Sequence, residues 1–204
     1  MVTRQLENLD DEEIMKKLGH EGEHPEGRFY PDTYYISRGV TDIELLNRAY
    51  ASMQQILQTE WQQREPDLPL QTPYEALILA SIVEKESAVA EERPVIAGLF
   101  INRLRKKMRL QTDPTVIYGI ENYDGNIRFR DLRKDTPYNT YTRNGLPPTP
   151  IAMPGREAIT ATLHPEKTDY LYFVAYGDGS GRHVFSTNLE DHEKAVDRYQ
   201  RKRK

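Results

Sequence analysis

With 28 Lys and Arg set against 32 Asp and Glu, the 204-residue chain carries a formal charge of -4, and that balance gives no reason to expect nucleic acid as a partner. The absence of cysteine excludes disulfides, thiolate metal sites and thiol nucleophiles, and no stretch approaches the ~20 apolar residues of a membrane span. The length suits one domain, or a domain with a smaller lobe, built around a real core.

No signal-peptide pattern opens the chain. Its polar N-terminus, Met1 to Glu26, suits a cytosolic protein or a fragment whose targeting segment lies upstream. Leu9, Ile14 and Leu18 mark a short helix over Asp10 to Leu18, ended by Gly19. The aromatic run Phe29, Tyr30, Tyr34 and Tyr35 reads as a small core under a loop, with a sugar-stacking surface as the other reading. Asp42 is placed as N-cap of a long helix from Ile43 to about Gln63, whose apolar stripe includes Leu46, Tyr50 and Met53. Glu65-Pro66-Asp67-Leu68-Pro69 then breaks the chain into an N-terminal helical and linker region, 1–65, and a main unit, 66–204.

Thr72-Pro73 reads as the N-cap and first residue of the next helix, which holds the apolar run Ala76 to Val83 and ends in Glu84-Lys85-Glu86. Helical spacing separates the two acids. Glu86 follows Val83, Ile82 and Leu79 by three, four and seven residues and shares their apolar face, whereas Glu84 lies over Ser81 and Ala80. A carboxyl forced onto a buried face resists ionisation and can serve as a general acid. Solvation of both acids in the last turn is the alternative.

Glu91 and Glu92 are expected in the first turn of a further helix, where the helix dipole favours acids. Leu110 to Pro154 carries many turn-forming residues and little regular pattern. Asp113-Pro114 there reads as a cap and first residue opening a short helix through Tyr118. Because Tyr138, Tyr141, Leu146, Ile151 and Met153 are spaced through this region, it is expected to be ordered and to wall a substrate cleft. A helix over Arg156 to Leu163 follows, then a strand over Tyr170 to Tyr176, a Gly-rich turn and its hairpin partner His183 to Ser186. Thr187 or Asn188 caps a last helix, Leu189 to about Arg201, and Arg201 to Lys204 form a solvated basic tail. The fold class is α+β, with helices flanking a small, largely antiparallel sheet.

The five histidines are scattered and no His-Glu-x-x-His occurs, so no metal site is expected. Nucleophile-elbow, phosphate-loop and dinucleotide fingerprints are also absent, and no cofactor is implied. Carboxylates, tyrosines, asparagines and a polar loop suit carbohydrate chemistry, in which an acid protonates a glycosidic oxygen. Glu86 is the acid whose local sequence predicts burial. Asp113 is a possible second carboxylate, but its capping role explains it well enough and is the preferred reading.

Several ordered motifs carry a resemblance. Glu26-Gly27-Arg28-Phe29-Tyr30-Pro31-Asp32-Thr33-Tyr34, Leu79 to Glu86, Phe100-Ile101-Asn102-Arg103-Leu104, and Met108 to Val116 with Tyr118 are among them. So are Tyr138-Asn139-Thr140-Tyr141, Gly145-Leu146-Pro147-Pro148 with Pro150-Ile151, Pro154-Gly155, and Tyr170 to Val174. Together they resemble the YceG-like family from about Glu26 to Leu189. The resemblance implies an endolytic lytic transglycosylase that cuts nascent peptidoglycan glycan strands between N-acetylmuramic acid and N-acetylglucosamine. The muramic acid C6 hydroxyl closes on C1, leaving a 1,6-anhydro end, and the catalytic glutamate maps onto Glu86.

On that reading Gln111, Asp113, Tyr138, Asn139 and Tyr141 are substrate-binding candidates and Glu84 is a supporting neighbour of Glu86. Family members work at the periplasmic face of the bacterial inner membrane, held by an N-terminal helix and in contact with peptidoglycan synthases. The chain departs from that pattern in lacking the helix, and is expected to be a truncated member whose anchor lies upstream. Two other readings stay open: an inverting hydrolase with Asp113 as base to a water, and a non-catalytic glycan-binding or scaffold module.

Overall fold

The most apolar segment of the chain becomes the axis of the fold. In the computed structural model, which describes residues 2–201, helix α3 (Pro73–Glu86) starts at the Thr72 N-cap, whose Oγ1 accepts the Glu75 N–H at 3.2 Å. Pro73 sits in the first turn, where its missing N–H leaves no bond unmade. Every residue from Ala76 to Val83 is buried, so the helix is covered on all sides. The cover comes from α2 (Asp42–Gln62), α4 (Arg93–Arg105) and α7 (Arg156–Leu163). Leu77, Leu79 and Ile82 meet Met53 and Leu57 of α2, Leu99 and Phe100 of α4, and Ile159 and Leu163 of α7 in one core. Each such side chain contributes about 1.5–3 kcal/mol by leaving water. Gly98 lets α4 lie against the chain that follows α7, because a Cβ there would collide with the Glu166 carbonyl oxygen.

A smaller core of Met15, Leu18, Phe29 and Ala49 gathers α1 (Asp11–Lys17) and the aromatic run against the first half of α2. The core reading of that run holds for Phe29, Tyr30 and Tyr34, while Tyr35 is 86% exposed. The second half of α2 belongs to the main core, so this helix joins the two clusters. Its N-cap is Thr41 rather than Asp42: Thr41 and Glu44 form a reciprocal capping box. Asp42 turns the other way and accepts the backbone N–H groups of Gln5 and Leu6 at 2.9–3.0 Å.

Glu91 and Glu92 also depart from expectation. They lie in a separate 3-10 turn, Ala90–Glu92, ahead of α4, and Glu92 is buried. The segment between α4 and α7 is ordered and mostly irregular, as expected, and includes α5 (Asp113–Tyr118) and α6 (Phe129–Arg133). It is tied to α3 where Ser81 Oγ accepts the Ile151 N–H at 3.0 Å.

Strands β1 (Tyr172–Ala175) and β2 (His183–Ser186) form an antiparallel hairpin with Phe173 opposite Phe185 and Ala175 opposite His183. Helix α8 (Leu189–Val196), capped by Asn188, packs on both strands and passes into a π turn, Asp197–Arg201. Helices around a small antiparallel sheet give the α+β class expected. Of the terminal basic run, residues 202–204 lie outside the described residues. Among the described residues no helix is long and apolar enough to cross a membrane.

Candidate active site

Glu86 is the last residue of α3, at the negative end of the helix dipole, where a second negative charge is disfavoured. It faces a cleft of about 500 Å³ lined by Arg103 of α4, Gln111, Asp113, Tyr141, β1, His183 and α8. Burial raises the Glu86 carboxyl pKa, and the Asp113 charge adds to the rise. The Thr112 hydroxyl, which donates to Glu86 Oε1, opposes it, as does the positive charge of Arg103.

Glu84, about 200° away around the helix, has a different set of partners. Its Oε2 accepts the Gly155 N–H at 3.0 Å, and its Oε1 pairs at 3.5 Å with Arg93, which is also bound to Glu157. Glu84 therefore fastens the end of α3 to the starts of α4 and α7. The separation of the two acids by helical spacing is as the sequence predicts.

Three of the five substrate-binding candidates join Glu86 in the cleft: Gln111, Asp113 and Tyr141. Gln111 has φ +49°, and its backbone N–H donates to the Thr140 carbonyl at 3.2 Å. The capping role for Asp113 is overturned. Thr112 is the N-cap residue of α5, and neither side chain caps. Thr112 gives its hydroxyl to Glu86, and Asp113 Oδ1 accepts the Tyr141 hydroxyl at 2.6 Å. Burial, followed by that bond and the Asp113 charge, pushes the Tyr141 phenol pKa well up.

The other two candidates lie elsewhere. Asn139 is fully buried; its amide donates to the carbonyls of Asp131, Leu132 and Lys134, and its Oδ1 accepts the Tyr141 N–H. Its hydrogen-bonding capacity is spent on closing α6 and aiming Tyr141. Tyr138 packs edge-on to Tyr118 with ring centroids 4.8 Å apart and shares a hydrogen bond with Thr149. Together with Tyr118 it lines a different cavity of about 670 Å³.

Sequence reasoning passed over Arg103, His183 and Glu92. Buried Arg103 donates from Nε to the Leu171 carbonyl at 2.6 Å and from Nη1 to the Leu110 carbonyl at 2.8 Å, with its guanidinium 5.3 Å over the Tyr172 ring. It thus joins α4, the loop before Thr112 and the entry to β1. The helical test that selects Glu86 also finds Arg103, which lies three and four residues beyond buried Phe100 and Leu99. His183 is held from β2 by Glu92, its Nδ1 at 2.8 Å from Oε2 and its backbone N–H donating to Oε1 at 3.1 Å. No local signal joins two residues 91 apart in the chain. Among the described residues no group of three or more His, Cys, Asp or Glu is placed to hold a metal ion.

A carboxyl whose pKa is raised by burial, a cation held nearby by backbone carbonyls, and polar groups along an open cleft form an arrangement able to protonate a bridging oxygen. Residues 2–198 match the model of the YceG-like family. An endolytic murein transglycosylase of Bacillus subtilis is 37% identical over 208 residues, spanning 95% of this chain and 57% of that protein. One of Streptococcus pneumoniae is 36% identical over 177 residues, covering 84% of this chain and 31% of its own length. The crystal structure of a yceG-like protein from Listeria monocytogenes superposes with a TM-score of 0.77 at 34% identity, over 93% of this chain and 66% of that one. The chain thus spans little more than half the length of the Bacillus relative. With the family model matched along nearly its whole length and the same fold in a relative, this chain belongs to the YceG-like family.

Proposed function

We propose that the chain is the catalytic part of an endolytic lytic transglycosylase acting on peptidoglycan glycan strands. The observation that carries this reading is the Glu86 carboxyl, its pKa raised by burial, facing an open polar cleft. The names of the Bacillus and Streptococcus relatives support the substrate class. Protonated Glu86 gives its proton to the glycosidic oxygen between N-acetylmuramic acid and N-acetylglucosamine as the C1–O bond breaks. The muramic acid C6 hydroxyl then bonds to C1 and passes its proton to the Glu86 carboxylate, which restores the acid and leaves a 1,6-anhydro end. An internal nucleophile removes the need for an activated water. Gln111, Asp113 and Tyr141 contact the strand, and Glu84 holds the last turn of α3 in place.

The same reading assigns catalysis to residues 66–204, which hold every residue named in the cleft, and a supporting role to 1–65. It puts the enzyme at the periplasmic face of a bacterial inner membrane, anchored through further N-terminal sequence, where it ends glycan elongation beside peptidoglycan synthases such as penicillin-binding proteins. Because Asp113 shares the cleft with Glu86, an inverting hydrolase with Asp113 as base is the second reading. Mass spectrometry of digested glycan strands separates the two. Anhydro ends from wild type and none from Glu86→Gln support the transglycosylase, reducing ends support the hydrolase, and an unchanged product pattern in Glu86→Gln removes Glu86 from the chemistry.

A further inference from the structure

The proton transfers use Glu86 alone, yet an imidazole held by a buried carboxyl outside the cleft also lines it. Glu92 is buried, and its side-chain hydrogen bonds among the described residues all go to His183: Oε1 takes the backbone N–H at 3.1 Å and Oε2 meets Nδ1 at 2.8 Å. Enclosing a carboxylate is costly unless it is well bonded, and here the bonding fixes one imidazole. An ionised carboxylate only accepts, so Nδ1 carries the hydrogen. In the neutral ring Nε2 is then the acceptor, and His183 lines the same cleft as Glu86. The ring is also held edge-on to Phe173, with centroids 5.2 Å apart at 82°. Anchoring β2 to the turn after α3 requires only the backbone bond to Oε1. The second bond, to the ring, sets tautomer and direction, which is how a nitrogen facing a substrate is prepared.

We propose that His183 is a substrate-contacting residue of this site and that Glu92 is its positioning residue. Nε2 accepts a hydrogen bond from a hydroxyl or acetamido N–H of the sugar lying against Glu86, and so sets the sugar's orientation for the acid. The proposal rests on the glycan-cleaving reading above.

Glu92→Gln in the purified chain is the test, because it changes the tautomer while keeping the fold's bonds. The fixed backbone N–H of His183 claims the amide oxygen, so the amide NH2 is left facing Nδ1. Nδ1 must then accept, the ring hydrogen moves to Nε2, and the ring's free acceptor becomes a donor. On polymerised glycan strands, Glu92→Gln and His183→Ala are each expected to lower kcat/KM by about 10- to 100-fold, as a lost or reversed hydrogen bond in an enclosed site does. Glu92→Gln should melt like wild type, His183→Gln should recover part of the loss, and the double variant Glu92→Gln/His183→Ala should be no worse than His183→Ala.

Wild-type rates in Glu92→Gln, or additive losses in the double variant, overturn the role for His183. If Glu86→Gln is inactive at the same time, the catalytic reading survives that failure. If Glu86→Gln still cleaves, the catalytic reading fails instead, and strand binding decides the matter for His183: weaker binding by Glu92→Gln than by wild type upholds the contact, and equal binding removes it.

Discussion

The two flanks of the last turn of α3 meet their surroundings in opposite ways. On one flank Glu84 finds a backbone N–H and a guanidinium, and the result is a fastening between three helices. On the other, Glu86 finds a neutral hydroxyl at bonding distance, an anion nearby in Asp113, and a cation, Arg103, that acts only across space. Both acids are partly covered, so burial alone does not separate them. What separates them is whether an ion pair offsets the burial. Where it does, the acid is a structural tie. Where it does not, burial raises the carboxyl pKa and favours the proton-bearing form that chemistry uses.

The most direct way to break this comparison is to neutralise each acid in turn. Glu86→Gln keeps the shape and removes the transferable proton, so cleavage of glycan strands should fall by about 10²- to 10⁴-fold, the usual share of a general acid. Glu84→Gln should change the rate by only a few-fold. Equal losses in the two variants, followed by chromatography of the muropeptides, would erase the distinction. The converse holds for stability. Glu84→Ala should cost about 1 kcal/mol in urea unfolding, since the Arg93 pair is partly solvated and most of the loss comes from the Gly155 N–H.

Asp113 tests the electrostatic half of the contrast. Its charge raises the Glu86 pKa, so Asp113→Asn should lower it and move the alkaline limb of the pH–rate profile toward acid. The product should keep its anhydro end. A variant that makes no product while still binding strands would instead favour Asp113 as the base of a hydrolase. Thr112→Val acts with the opposite sign and more strongly. Losing the hydroxyl that favours the charged form should carry the limb to higher pH, with α5 intact because Thr112 makes no side-chain cap.

How much of this was legible in the sequence follows from the range of the forces involved. Helices α3 and α7 and the hairpin carry their own signals, an apolar run behind Thr-Pro, a stop at His-Pro, and aromatic strand residues around a Gly-rich turn. Periodicity likewise placed Glu86 on the buried face. The capping assignments for Asp42 and Asp113 failed by one residue because Thr, Asp and a following helix allow either register, and distant partners decided between them: Gln5 and Leu6 for one, Tyr141 for the other. Helix α6 is five residues without a buried side chain and so has no stripe to read. Tyr138 and Tyr141 sit in one motif yet enter different cavities, because irregular chain has no period that relates side chains three apart. Asn139 was assigned to the cleft for its polarity, and its polarity is consumed by backbone carbonyls. His183 and Glu92 meet only through the fold.

The smallest expected effect concerns stability rather than rate, and it separates a retained proton from a simple polar contact. A carboxyl whose pKa is raised on folding above its ordinary 4.5 binds its proton more tightly in the folded chain than in the unfolded one. Between 4.5 and the raised value the folded state therefore holds more protons, and its stability declines as pH rises through that window. Above the window the full penalty of an enclosed charge remains, and below it none does. Glu86→Gln has no proton to lose. Its melting temperature relative to wild type should stay level under acid conditions, climb across the window and level off again on the alkaline side. Glu84→Gln should not reproduce that profile. If thermal melts across this pH range run parallel for wild type and Glu86→Gln, the Glu86 carboxyl is as well solvated as a surface acid, and the difference between the two flanks of α3 loses its physical basis.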